Sequence, residues 1–135
     1  MPLDYQDTLR DAVSKNGYHL THVLLAWIWI QENKYEIELE PGFVEDLFVA
    51  NSALLNSDSV VTDLELEAAA FLYLAGRGDL VDELFIEQVI KSQGLDGGWG
   101  EEDNRWHSTI LGLLILLHVE FPADTYPPVL AEPSA

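Results

Sequence analysis

Two kinds of helical segment alternate along this chain, and that alternation limits the folds open to it. The first segment places Tyr5, Thr8, Leu9, Ala12 and Val13 on one stripe, at the spacing of a one-sided amphipathic helix. Asn16-Gly17 supplies its stop, because glycine accepts the left-handed conformation past a helix end. Residues 19–33 are apolar nearly all round, the pattern of a helix buried on most sides. A weakly alternating stretch, 34–40, reads as an extended connector, since a single strand without a partner is not stable. A third helix follows Pro41, with Phe43, Val44, Leu47, Phe48, Leu54 and Leu55 on its stripe and Asn51 on the same line.

The fourth helix opens near Thr62, where Thr62 and Glu65 have capping-box spacing. Leu64, Ala68, Phe71, Leu72 and Ala75 form its face, and Gly76 and Gly78 end it. It fits the alternation least well, because its start carries Asp63, Glu65 and Glu67. A fifth helix is expected from Asp79, with Val81, Leu84, Phe85, Gln88 and Val89 on one side and Gln93-Gly94 as its close. Residues 106–121 form a sixth, again apolar all round. Short links join the helices in pairs, so the expected fold is all-α: about six helices as three αα-hairpins, with one-sided helices outside and apolar ones inside. This domain spans 1–121, and 122–135, with its prolines and no periodicity, reads as a tail.

Composition excludes several functions. The chain has no cysteine, so disulfides, thiolate metal sites and thiol nucleophiles are out. Its 24 acidic residues against six Lys plus Arg repel phosphate backbones and anionic membranes, so neither nucleic acid nor membrane is an expected partner. The same acidity serves solubility, a high-salt habitat or a basic partner. The longest apolar runs, 23–30 and 110–117, are far short of a membrane span of roughly 20 residues. The polar, acidic start has no signal-peptide pattern, and a cytoplasmic location is expected.

Gln93-Gly94-Leu95-Asp96-Gly97-Gly98-Trp99-Gly100 resembles the QW-type repeat of the α/α-toroid superfamily, which includes terpenoid cyclases and protein prenyltransferase β-subunits. The stretch 106–117 is similar to the inner helix that follows such a repeat. The resemblance implies an incomplete α/α toroid, with Gln93, Asp96, Gly97, Gly98 and Trp99 as a structural motif. It does not carry over either activity. Asp63-Leu64-Glu65-Leu66-Glu67 is not the cyclase proton-donor motif, the prenyltransferase cysteine ligand is missing, and three hairpins fall short of a closed ring.

Candidate chemistry rests on the histidines. His107 and His118 lie eleven residues apart, about 16 Å along a helix, too far to share one ion. If the inner helices all run the same way, however, their starts meet at one end. Those starts carry His19, Thr21 and His22; Asp63, Glu65 and Glu67; and His107, Ser108 and Thr109. From this group His22, Glu67 and His107 are expected to form a catalytic or metal site, two imidazoles and a carboxylate suiting zinc or an acid–base pair. The competing expectation is a buried polar layer in which these groups satisfy one another. Thr21, Trp27, Trp106 and Thr109 are the expected binding residues, although core packing is the stronger expectation for the tryptophans.

Two functions follow. One is a non-catalytic binding or scaffold domain that holds a protein partner or an apolar small molecule on a concave face. The other is a small enzyme or enzyme subunit working through the His/Glu site, with a divalent metal such as zinc as its cofactor. A three-hairpin arc leaves inner-helix flanks uncovered, so a homodimer or a partner completing the arc is expected.

Overall fold

The computed structural model describes residues 5–15, 17–56 and 60–122. Among the described residues, six α-helices follow in order: α1 Tyr5–Lys15, α2 Tyr18–Glu32, α3 Phe43–Ser52, α4 Asp63–Leu74, α5 Glu83–Lys91 and α6 Arg105–Glu120, with a 3-10 turn at Gly78–Leu80. No strand occurs among the described residues, and 35–40 runs as an irregular connector. The fold is therefore all-α. The expected tail lies, beyond Pro122, outside the described residues.

α4 is the centre of the molecule. It packs between α2 and α6, while α1 lies against α2 and α3 leans on both α2 and α4. Every residue from Glu65 to Leu72 is buried. That resolves the misfit noted in the sequence: α4 is an inner helix, and its acidic residues are taken up at its first two turns. α2, α4 and α6 thus form one row. Their starts lie together, because Tyr18 of α2 and Ser108 of α6 both donate to Asp63 of α4. The far ends of α4 and α6 also meet, with the rings of Tyr73 and His118 5.8 Å apart. α5 reaches the core through Phe85 and Val89.

Local chemistry sets the boundaries. Thr62 and Glu65 form the expected capping box, each side chain bonding the other's backbone N–H. α4 ends in a Schellman turn: Arg77 N–H reaches the Leu72 carbonyl at 2.8 Å, with Gly76 left-handed at φ 78°. The fifth helix opens later than expected. Asp82, not Asp79, caps it by accepting the Leu84 N–H at 2.7 Å. Asp79 is drawn instead to the Arg77 guanidinium, 3.0 Å away, across the 3-10 turn. α3 stops at Ser52, so Leu54 and Leu55 pack on the core from beyond its end.

α2 ends in the same type of turn as α4, with Tyr35 N–H on the Ile30 carbonyl at 3.1 Å. Here the left-handed position holds Lys34, at φ 54°. A side chain there is strained where glycine would not be. Lys34→Gly is expected to raise stability by about 0.5–1 kcal/mol, the left-handed penalty less glycine's extra unfolded entropy. A urea titration checks this, and a loss of stability would show that the turn does not bear that strain.

Candidate metal centre

The three inner-helix starts build one polar cluster. Asp63 stands in the first turn of α4, where the free N–H groups favour a carboxylate. It accepts three side-chain hydrogen bonds: from Tyr18 Oη at 2.9 Å, from Ser108 Oγ at 2.5 Å and from His107 Nδ1 at 2.9 Å. Burial pushes its carboxyl up, but the bonds from Ser108, His107 and Tyr18 together outweigh that and hold it below the ordinary value. The Tyr18 phenol is pushed the other way, to about 12, by burial and then by the hydrogen bond and charge of Asp63.

Glu67 lies one turn further along α4 and is only 3% exposed. Its Oε1 accepts from Thr21 Oγ1 at 2.5 Å. Its Oε2 faces His107 Nε2 at 3.5 Å. Since Asp63 is an acceptor, His107 donates through Nδ1 and turns Nε2 toward Glu67. This is the carboxylate–histidine arrangement that orients an imidazole for a metal. Asp63, Glu67 and His107 each offer a ligand atom, all within 4.8 Å of one another.

The 3.5 Å gap is informative. A charge-assisted N–H···O bond closes to about 2.7–2.9 Å. Two ligands roughly 2.1 Å from a tetrahedral zinc stand about 3.4 Å apart. The observed separation matches the second distance.

Of the residues expected from the sequence, Glu67 and His107 are brought together. His22 stands on the other side of Glu67, its Nδ1 3.7 Å from Oε1. That nitrogen lies 2.5 Å from the Tyr18 carbonyl, which can only accept, so it carries a proton and is no ligand there. Thr21 is fully buried and holds Glu67. Trp27 packs edge-on against Phe48 in the core region, 5.1 Å between centroids. Trp106 is exposed, with its ring 5.5 Å from that of His107. Thr109 accepts the Trp99 backbone N–H at 3.0 Å. Asp63 belongs to the same helix starts but lies outside the expected triad. Its spacing, one turn before Glu67 on the same helix face, is the signal that points to it.

The glycine-rich motif is a lock between α5 and α6. Gln93 Nε2 donates to the Gly97 carbonyl at 2.8 Å, and Asp96 takes the Gly98 N–H at 3.1 Å and the Arg105 guanidinium. Trp99 is buried, with Nε1 on the Val89 carbonyl at 2.8 Å. Gly97 is left-handed at φ 86°, and a Cβ at Gly112 would lie 2.6 Å from the Trp99 indole.

Comparison with models of known families, with curated proteins and with solved structures found no match to this chain. None of the helices among the described residues is long and apolar enough to cross a membrane.

Proposed function

We propose that this chain is a small helical domain that binds a divalent cation, with zinc the best match, at the shared start of its inner helices. His107 Nε2 and Glu67 Oε2 are the ligands, and Asp63 positions His107 from behind. The observation that carries this reading is the 3.5 Å separation of those two atoms, too long for their own charge-assisted hydrogen bond and close to a tetrahedral edge. Two protein ligands leave positions open, so the same site supports the enzyme alternative, in which a bound cation would supply Lewis acidity toward a water or a substrate.

The alternating order of outer and inner helices supports the further reading as an incomplete α/α toroid. In that architecture the uncovered side of the inner row is a binding face, for a second copy or another protein that completes the arc. A scaffold role and a metal site are compatible, the metal then fixing three helices at one end.

Calorimetric titration of the chelator-stripped protein with zinc tests the site. Wild type is expected to bind one equivalent. His107→Ala and Glu67→Gln should each weaken binding at least about 100-fold by removing a ligand, and His22→Ala should change it little. Equal affinity in wild type and His107→Ala would overturn the assignment.

A further inference from the structure

We propose that the chain pairs with a second copy of itself through α6, in an antiparallel, two-fold symmetric helix contact. The proposal deepens the partner reading above by naming the occupant, and it does not depend on the metal. It starts from the outward side of α6. Trp106 is 68% exposed, Ile110 52%, Leu113 46% and Leu117 50%. At roughly 100° per residue these four fall on one line. They lie opposite Ser108, Leu111, Gly112 and Ile115, which face the core. No Asp, Glu, Lys or Arg occurs from 106 through 119, in a chain with net charge −18. A continuous apolar stripe on so acidic a protein marks an interface.

The pattern of the stripe is compatible with a second copy as the partner. Its spacings are four, three and four residues, a sequence that reads the same from either end. An antiparallel copy therefore sets Trp106 against Leu117 and Ile110 against Leu113, twice over, with the axis crossing between Leu111 and Gly112. This self-complementarity is what an isologous interface requires. Opposed helix macrodipoles favour the antiparallel sense. A basic partner, which the acidic surface attracts elsewhere, finds no charge on the stripe. The four side chains offer roughly 450 Å² per copy, about 900 Å² for the pair, the size of a weak, transient interface. The pairing is therefore modest in strength and tightens with salt, which screens the repulsion between two acidic copies.

The cysteine-free chain makes the test direct. Sedimentation of the full chain at high micromolar concentration should give a dimer, more so in high salt. Leu113→Glu should give a monomer with an unchanged circular dichroism spectrum, while Trp29→Glu, on an exposed position of α2, should leave the dimer intact. Trp106→Cys and Leu117→Cys proteins, oxidised separately, should cross-link poorly, because like positions lie about 16 Å apart in the antiparallel pair. Oxidised as a mixture, they should give the mixed dimer. A monomeric wild type overturns the pairing, as does a dimer that survives Leu113→Glu or cross-links between like positions. The broader partner reading fails separately, on a monomeric Leu113→Cys protein whose thiol resists labelling, because the stripe is then covered by its own chain.

Discussion

Trp99→Ala is expected to lower the stability of the domain by about 4 kcal/mol, a large share of the roughly 5–15 kcal/mol that holds a domain together. The indole is 1% exposed and fills the space between α5 and α6. Gly112 of α6 has given up its side chain to admit it, since a Cβ there would lie 2.6 Å from Cδ2. Truncation leaves a cavity that two helices cannot close without moving. It also strips the Val89 carbonyl at the end of α5 of the Nε1 hydrogen bond it accepts at 2.8 Å. Trp99→Phe separates the two contributions: it keeps most of the ring and loses the donor, so a smaller loss of about 1–2 kcal/mol is expected. Urea titration followed by circular dichroism measures both. A loss below about 1 kcal/mol for Trp99→Ala would mean that the indole does not fix α6 to α5, and the motif around it would then need another explanation.

The architecture was legible in the sequence because hydrophobic period reports burial. Segments apolar all round became α2 and α6, the helices that flank α4, and the Thr62–Glu65 spacing became a capping box, but α6 is buried on one side only and leaves Trp106, Ile110, Leu113 and Leu117 exposed. The acidic start of α4 misled for a physical reason. Sequence pattern records that Asp63, Glu65 and Glu67 are charged, but not that donors from α2 and α6 meet them. Carboxylates with such partners can be buried, and Glu67 is. The gathering of Glu67 and His107 followed from helix direction alone. The place of His22 did not, because it depends on a ring nitrogen turning back to the carbonyl of Tyr18 on its own helix, a rotamer choice that spacing does not encode. The start of α5 was missed for a similar reason. Asp79 and Asp82 are both plausible caps in sequence, and the choice is made by Arg77, which also bonds Glu45 of α3 at 2.7 Å and thereby holds Asp79 outside the helix.

Asp63→Ala should have the second largest effect, and its pH dependence identifies the cause. The carboxylate joins α2, α4 and α6 through Tyr18, Ser108 and His107. Ser108 is fully buried, so its hydroxyl has no water to turn to when the acceptor is removed. Each buried donor left without a partner costs about 1–3 kcal/mol, and with Tyr18 and His107 partly exposed a total near 3 kcal/mol is expected at neutral pH with chelator present. The Asp63 carboxyl is held below its ordinary value of 3.8, net of burial, by those same bonds. Its contribution is therefore complete above that value and is lost as pH falls through the lower folded-state value, where the protonated carboxyl no longer draws its donors as an anion. The stability difference between wild type and Asp63→Ala should accordingly be flat from neutral pH down to about pH 4 and shrink below it. Effects of the other carboxylates are common to both proteins and cancel in the difference. Zinc affinity supplies a second readout, because an imidazole that loses its orienting carboxylate binds metal about 10- to 100-fold more weakly. Asp63→Asn, similar in shape but neutral, should fall between wild type and alanine in both measurements. A stability difference that persists undiminished well below pH 4 would show that Asp63 acts by filling space rather than by its charge, and the account of His107 as an imidazole oriented by Asp63 would fall with it.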